Sequence, residues 1–579
     1  MAKAKPSAAP KKLKPPAPPG DTGDNDAGIQ HTPSSRFRPW IILLVIVLFA
    51  SAMRLRLADM PLERDEGEYA YAGQLMLQGI PPYDLACNMK LPGTYASYAL
   101  LMAVFGQTAF GIHVGVIFVN AANILLVFLL GRRLFDAPVG LAAAVSYSVM
   151  ANGMYLLAMA GHATHFVILF AMIGLLLLLR GLERGQTLLF FLSGLALGLA
   201  YLMKQPGACF LGFAVLYLGW HAITNRPIAW SRTAVRLGLV VAGGVIPFGL
   251  LCLFLWHAGV FPKFWFWTVD YARQYATIIP PSLGIPYFFQ VFPDRMGPGK
   301  GLWLLGGVGL VACLGSLAGL KLPTADWARR ARAATVFLVG FLLLALVGTA
   351  SGFFWREHYF ILMLPAVSIL AGAAVSAGRE GLKRLGLPAP LAAAVVVLVL
   401  LGAAACVVAA ERVDLFERTP EQACRLRYGG NPFVEVGWVA DHIRDRTTPD
   451  DTIAVLGSEP EIYFYARRHS CTGYIYTYGM MEPQAFARQM QDEMIRDVEA
   501  ARPQFIVMTQ IVTSWLPRPG SDMTILQWAE RYLGANYVCV GIADIWSLDH
   551  TEYTWDDSGV KAGPRSNFNL MVFRRIPGR

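Results

Sequence analysis

Apolar runs of about 20 residues recur from Trp40 to Ala409, each long enough to cross a bilayer core of about 30 Å. They predict spans near 38–57, 110–131, 138–157, 163–180, 187–203, 206–223, 237–256, 300–320, 334–351, 359–377 and 389–409, eleven in all. The run at 93–108, GTYASYALLMAVFGQT, is also apolar. Counting it as a span would place Arg132/Arg133, Arg180/Arg184, Arg226/Arg232/Arg236, Arg329/Arg330/Arg332 and Arg379/Lys383/Arg384 outside, against the positive-inside bias. Left out, it becomes an amphipathic helix at the outer interface bearing Tyr95 and Tyr98, and all five clusters join the N-terminus in the cytoplasm. Outer loops 58–92 and 261–299 are then long, and the chain leaves the last span on the outer side.

From 410 to 579 the pattern changes. Strand-like runs Thr452–Leu456, Phe505–Thr509 and Tyr537–Ile542 alternate with helix-like Val434–Arg446, Pro483–Ala500 and Ile525–Leu533, which predicts a small extracytoplasmic α/β domain. Its first strand runs into Leu456-Gly-Ser-Glu-Pro460, which is not a Gly-rich phosphate loop. Residues 1–37 are rich in Pro, Ala and Lys and predict a disordered cytoplasmic tail. The first apolar run lacks a small-residue cleavage pattern, so it reads as a retained helix rather than a signal peptide. The fold class is a polytopic α-helical membrane protein, 38–409, followed by the α/β domain.

Composition agrees. Of 579 residues, 55% are hydrophobic and 15% charged, which excludes an ordinary soluble protein. The net charge of +10 lies in short loops and the tail, where it orients a membrane protein, so nucleic acid is not an expected partner. The eight cysteines show no CxxC or Cys/His ligand spacing. Cys424 and Cys471 could pair in an extracytoplasmic domain, against the simpler reading of small apolar residues.

Ionisable residues at a membrane are costly and are candidates for function. Those on the outer side gather at one level: Arg64-Asp-Glu-Gly-Glu68, Lys90, His162, His165, Lys204 and Arg356-Glu-His-Tyr359. Carboxylates facing several cations suit an anionic phosphate and group transfer. A transporter or flippase of lipid-linked glycans is the alternative, and it would need polar groups at mid-membrane, where the predicted spans carry no Asp, Glu, Lys or Arg.

ArgAspGluGlyGluTyrAlaTyr (64–71), then Lys-Leu-Pro-Gly (90–93) before an aromatic-rich interfacial helix, resembles the GT-C glycosyltransferases. The likeness is strongest to the bacterial protein-mannosyltransferase-like, RgtA/B/C/D-like branch. MetLysGlnProGly (203–207), HisTyrPheIleLeuMetLeuPro (358–365) and GlySerGluProGluIleTyrPhe (457–464) add to it in order. The resemblance implies an inverting transferase of the bacterial inner membrane, taking a sugar from a polyprenyl-phosphate donor to a glycan, lipid or protein acceptor on the outer face. Asp65 would be the general base. Glu66 would orient the acceptor, bind a metal or pair with a loop cation. Lys90 would bind the donor phosphate, with Lys204, Arg356, His358 and Tyr359 as further donor contacts. The branch often carries an acidic residue before a His-Phe pair where this chain has Thr164. His162 and His165 would therefore need Glu66 or Glu68 to hold a divalent metal; otherwise they bond backbone or the acceptor sugar. No cofactor is required by the pattern. The aromatic loop 261–299 reads as an interfacial belt or as a lid with Tyr271, Arg273 and Tyr275 on the substrate.

Overall fold

The computed structural model describes residues 1, 33–225, 227, 229–320, 324–556, 560 and 563–578. The expected tail falls almost wholly outside them, as does Arg226. Sixteen helices occupy the first part of the described chain: α1 (Pro33–Arg56), α2 (Arg64–Leu77), α3 (Gly93–Phe105), α4 (Ala109–Leu134), α5 (Ala137–Met150), α6 (Ala163–Arg184), α7 (Thr187–Met203), α8 (Ala208–Thr224), α9 (Trp230–His257), α10 (Phe261–Trp265), α11 (Ala272–Ala276), α12 (Pro281–Met296), α13 (Lys300–Leu317), α14 (Ala325–Thr349), α15 (Leu364–Arg384) and α16 (Ala389–Ala410). Among the described residues, nine helical segments are long and apolar enough to cross a membrane, α12 and α13 counting as one.

Every predicted span has a helix, but α5 and α7 are short, at 14 and 17 residues. α5 stops at Met150, short of the expected 157, and the chain turns through Asn152-Gly153 to a left-handed Leu157 at φ 54°. α3 has 13 residues, a rise of about 20 Å, too short to span. Loop 58–92 contains α2, and the supposed loop 261–299 is mostly helical. Pro262 and Pro281 stand in the first turns of α10 and α12, where an N–H is not needed.

α7 and α9 touch backbone to backbone. A Cβ on Gly194 would lie 2.1 Å from the Val240 carbonyl oxygen, and one on Gly243 2.3 Å from that of Phe191. Small residues are what permit such close packing between apolar helices, where no hydrophobic drive separates protein from lipid.

Past Ala410 the chain forms a six-stranded sheet from β1 (Thr452–Leu456), β2 (His469–Ser470), β3 (Phe505–Gln510), β4 (Tyr537–Ser547), β5 (His550–Trp555) and β6 (Asn569–Arg575), in the order β2-β1-β3-β6-β4-β5. β1 is parallel to β2 and β3, and the remaining pairs are antiparallel. All eight cysteines are free thiols; Cys424 and Cys471 do not pair and belong to separate apolar clusters.

The carboxyl ends of β1 and β3 face the helical part. The Arg64 guanidinium donates from Nε to the Ser458 carbonyl at 2.5 Å and pairs with Glu459 at 3.1 Å. The Ser470 N–H donates to the Tyr71 hydroxyl at 2.8 Å, and the Cys87 N–H to the Gly473 carbonyl at 2.8 Å. Gly67 lets the two parts approach closely: a Cβ there would meet Glu461 Cγ at 2.3 Å.

Candidate active site

The site grows from the first turn of α2. Glu63 caps it: its carboxylate accepts the Glu66 N–H at 3.1 Å, and Glu66 accepts the Glu63 N–H at 3.4 Å. On a helix, neighbours in sequence point apart while residues three apart share a face. Asp65 and Glu68 therefore look one way and Glu66 another.

Lys90, brought across by the chain before α3, fills the space between the first two. Its Nζ is 2.7 Å from Asp65 Oδ1 and 2.6 Å from Glu68 Oε2, and it sits 4.7 Å from the centroid of the Tyr69 ring. Glu68 is fully buried and also accepts from Asn88 at 2.9 Å and from the Tyr95 hydroxyl. Burial alone would push the Asp65 carboxyl up, but the charge and hydrogen bond of Lys90 outweigh it and hold Asp65 well below the usual carboxylate range. Lys90 is correspondingly raised, since Asp65 and Glu68 overcome its desolvation.

Asp65 and Lys90 border a cavity of about 380 Å³ whose wall also includes Lys204, Arg356, His358, Tyr359, Tyr271 and Tyr275. Lys204 Nζ lies 4.1 Å from the Tyr359 ring centroid. Arg356 Nη2 is 3.5 Å from the Tyr275 hydroxyl. Arg356 follows a constrained turn in which Phe353 and Trp355 both have positive φ, at 56° and 49°. That backbone is held by the Trp355 indole N–H on the Gly284 carbonyl at 2.8 Å and by Arg295 on the Trp355 carbonyl at 3.1 Å. A π-helical turn, Phe266–Tyr271, resets the register between α10 and α11 and buries Tyr271, whose hydroxyl donates to Glu482 at 2.8 Å. The rest of the wall is largely apolar, with Trp267, Ala272, Ala276, Pro206 and Leu362.

Five of the expected residues, Glu66, Glu68, His162, His165 and Arg273, lie outside this cavity. Glu66 is fully buried in the opposite direction, accepting the Gly161 N–H at 2.6 Å and meeting His113 Nε2 at 3.1 Å. Glu68 stands behind Lys90. His165 bonds the Ala158 carbonyl at 3.0 Å and is buried in the helix packing. Arg273 is exposed on the outer side of α11. His162 takes neither partner expected for it: its ring stacks on His358 with centroids 4.1 Å apart.

Asp65, His162 and His358 bring ligand atoms within 4.8 Å of one another. Both ring nitrogens of His162 and Nδ1 of His358 are buried without a hydrogen-bond partner. One carboxylate and two imidazoles are a donor set that fits a divalent cation, with Asp65 in the place sequence reading gave to Glu66 or Glu68. Burial lowers the His162 imidazole to about 4, leaving it neutral as a ligand must be.

Sequence reading passed over Glu63, His113, Tyr476 and Tyr478. The first was legible as the residue three before Glu66 at a helix start; the tyrosines carry no motif and reach the cavity only through the fold of the sheet domain.

Residues 90–250 match the family described as dolichyl-phosphate-mannose-protein mannosyltransferase. ArnT from Cupriavidus metallidurans, solved with undecaprenyl phosphate, superposes with a TM-score of 0.52 at 16% identity, covering 94% of this chain and 99% of that one. The chain has the GT-C fold. The archaeal GT-C oligosaccharyltransferase AglB from Archaeoglobus fulgidus, solved with an inhibitory peptide and dolichol-phosphate, gives 0.50 at 13% identity over 91% of this chain and 75% of that one. In sequence, the chain is 30% identical over 301 residues to an undecaprenyl phosphate-alpha-4-amino-4-deoxy-L-arabinose arabinosyl transferase of Pseudomonas aeruginosa. The match takes in 49% of this chain, and the chain spans about half the length of that curated relative. Its nine described helical segments long and apolar enough to cross a membrane make it a multi-pass membrane protein.

Proposed function

We propose that this protein transfers a sugar from an undecaprenyl-phosphate-linked donor to an acceptor hydroxyl on a glycan, lipid or protein, with inversion, at the outer face of a bacterial inner membrane. The observation that carries the reading is one cavity in which a single carboxylate, Asp65, faces Lys90, Lys204 and Arg356 beside an apolar wall. A lipid-linked phosphate matches that pairing. Its charge lies against the cations and its prenyl chain against Trp267, Leu362 and Pro206.

In the reaction, the acceptor oxygen attacks the sugar carbon as its proton passes to Asp65, and the carbon–oxygen bond to phosphate breaks with both electrons leaving on undecaprenyl phosphate. Lys204 and Arg356 offset the charge that develops there. At rest Asp65 is a weak base because Lys90 holds it. A donor phosphate that draws Lys90 Nζ away from Asp65 raises that basicity when the acceptor arrives. The relatives' names make a pentose donor the first to test.

The assay is release of undecaprenyl phosphate from a panel of undecaprenyl-phosphate sugars, with membrane extract as acceptor. Turnover of one donor is the expected result. Turnover of none would sink the reading and turn attention to transport of lipid-linked glycans.

Burial holds the Lys204 ammonium down at about 7. It loses its proton as pH rises through that value, and the cavity loses a positive charge. Affinity for undecaprenyl phosphate should fall by up to about tenfold per unit above about pH 7. Lys204→Arg, which stays charged, should flatten the slope; a slope unchanged by that substitution would remove Lys204 from phosphate binding.

A further inference from the structure

The cavity is not closed by the membrane helices alone. Tyr476, Tyr478 and Gly479, all from the sheet domain, form part of its wall. The Tyr476 hydroxyl lies 2.9 Å from the Arg64 carbonyl and 3.3 Å from Asp65 Oδ1. Its ring is one side of the cage around Lys90, with Nζ 5.4 Å from the centroid. We propose that Tyr476 is a positioning residue for Asp65, so that the C-terminal domain completes the transfer site rather than merely covering it.

The segment that carries Tyr476 is fixed on both sides. Before it, Gly473 accepts the Cys87 N–H at 2.8 Å, joining the domain to the loop that delivers Lys90. After it, the Thr477 N–H donates to Ser458 Oγ at 3.0 Å, and its hydroxyl donates to the Ser514 carbonyl at 3.1 Å. Tyr478 donates to the Thr513 carbonyl at 3.0 Å and lies under the Arg64 guanidinium, 5.4 Å from its ring centroid. The hydroxyl of Tyr476 is therefore held by the ends of β1 and β3, and it reaches α2 at the residue before Asp65 and at Asp65 itself.

The chemical consequence concerns which carboxylate oxygen is used. Oδ1 already faces both Lys90 and Tyr476. Oδ2 faces His358 at 4.0 Å across the cavity edge. With Oδ1 fixed, Oδ2 is the oxygen left to meet an acceptor proton, and the orientation of Asp65 is set by a residue more than 400 positions away in the chain. A misplacement of about 1 Å at a reacting group costs on the order of 100-fold in rate, so a single hydroxyl in this place is worth testing.

The claim rests on the transferase reading for its kinetic arm and on the structure alone for its second arm. The test uses the purified full chain with Tyr476→Phe, which keeps the ring against Lys90 and removes only the hydroxyl. Expected are a fall in kcat of about tenfold or more, with donor KM and the Kd for undecaprenyl phosphate within about twofold of wild type. Amide exchange across 64–68 should rise by about threefold or more while β1 and β3 stay as protected as before. A kcat within about twofold of wild type, or unchanged exchange across 64–68, overturns the proposal. Equal losses in kcat, lipid binding and β1 protection would also overturn it, since they would mark a role in folding. If wild type consumes no donor, it is the transferase reading that fails, and the exchange arm alone decides the positioning claim.

Discussion

Asp65→Asn is expected to lower sugar transfer by about 10²–10⁴-fold while binding of undecaprenyl phosphate stays within a few-fold of wild type. The substitution is close to isosteric and retains an oxygen for Lys90 and Tyr476, so the cage around Oδ1 persists. What it removes is the ability to take a proton. Glu68 remains beside Lys90 to balance the ammonium, at 2.6 Å, so the fold should tolerate the change. The measurement is single-turnover release of undecaprenyl phosphate beside equilibrium binding of that lipid. A variant keeping more than about a tenth of wild-type turnover would move the base elsewhere. Glu63 would be the first alternative, since its carboxylate lies 3.6 Å from His162 and burial, followed by repulsion from Asp65 and Glu66, raises it well above the usual range.

The second large effect is structural. Arg64→Met should destabilise the docking of the C-terminal domain by about 3–5 kcal/mol, the usual cost of removing one partner of a buried ion pair. Glu459 is fully buried; one oxygen meets Arg64, and the other accepts from Thr509 and Ser514, each at 2.8 Å. Glu461 is buried nearby with neither oxygen hydrogen-bonded, and burial raises it well above the usual range against the pull of Arg64. Without the guanidinium, two buried carboxyls share a site with no cation. Limited proteolysis in detergent, read as the free energy of local opening, should show the domain released early. Arg64→Met with Glu459→Gln should recover part of the loss, because the second change removes the charge that the first strands. A loss below about 1 kcal/mol, or no recovery, would show that this pair does not hold the domain.

Much of the fold is written in hydropathy and charge. Runs of uncharged residues bounded by arginine clusters mark the spans, and the ends of helices far apart in sequence fall at one level. That is why Asp65, Lys90, Lys204, Arg356, His358 and Tyr359 meet in one cavity. Orientation within the level was not legible without the local helix. Read as a loop, Arg64-Asp-Glu-Gly-Glu68 offers Glu66 beside Asp65; wound into α2, it pairs Asp65 with Glu68 and sends Glu66 to His113 and Gly161. His165 was misplaced because His162 is the extended residue before α6 while His165 lies in its first turn, so the two do not share a helix face. In the sheet domain the strands with continuous apolar runs, β1 and β3, stand where the pattern put them. β5 is mostly polar, and β6 has an apolar run of only four residues, Leu570–Phe573, between Asn569 and two arginines; both were missed. The role of Tyr476 depends on a contact across more than 400 residues, which no local pattern encodes.

The clamp on Lys90 has a consequence for selectivity. In the resting protein its ammonium is already neutralised by Asp65 and Glu68, and burial weakens the hold of Lys204 on its proton, which leaves Arg356 as the cavity's one firmly charged cation without a carboxylate against it among the described residues. The cavity is thus a poor trap for free inorganic phosphate or other small soluble anions, which bring charge but nothing to bury against Trp267 and Leu362. Only an anion that carries its own apolar tail can offset the disruption of the clamp, about 0.8 kcal/mol for each methylene removed from water. On the proposed reading, free phosphate is therefore expected to leave turnover unchanged, and competitive inhibitors are expected to be amphiphiles.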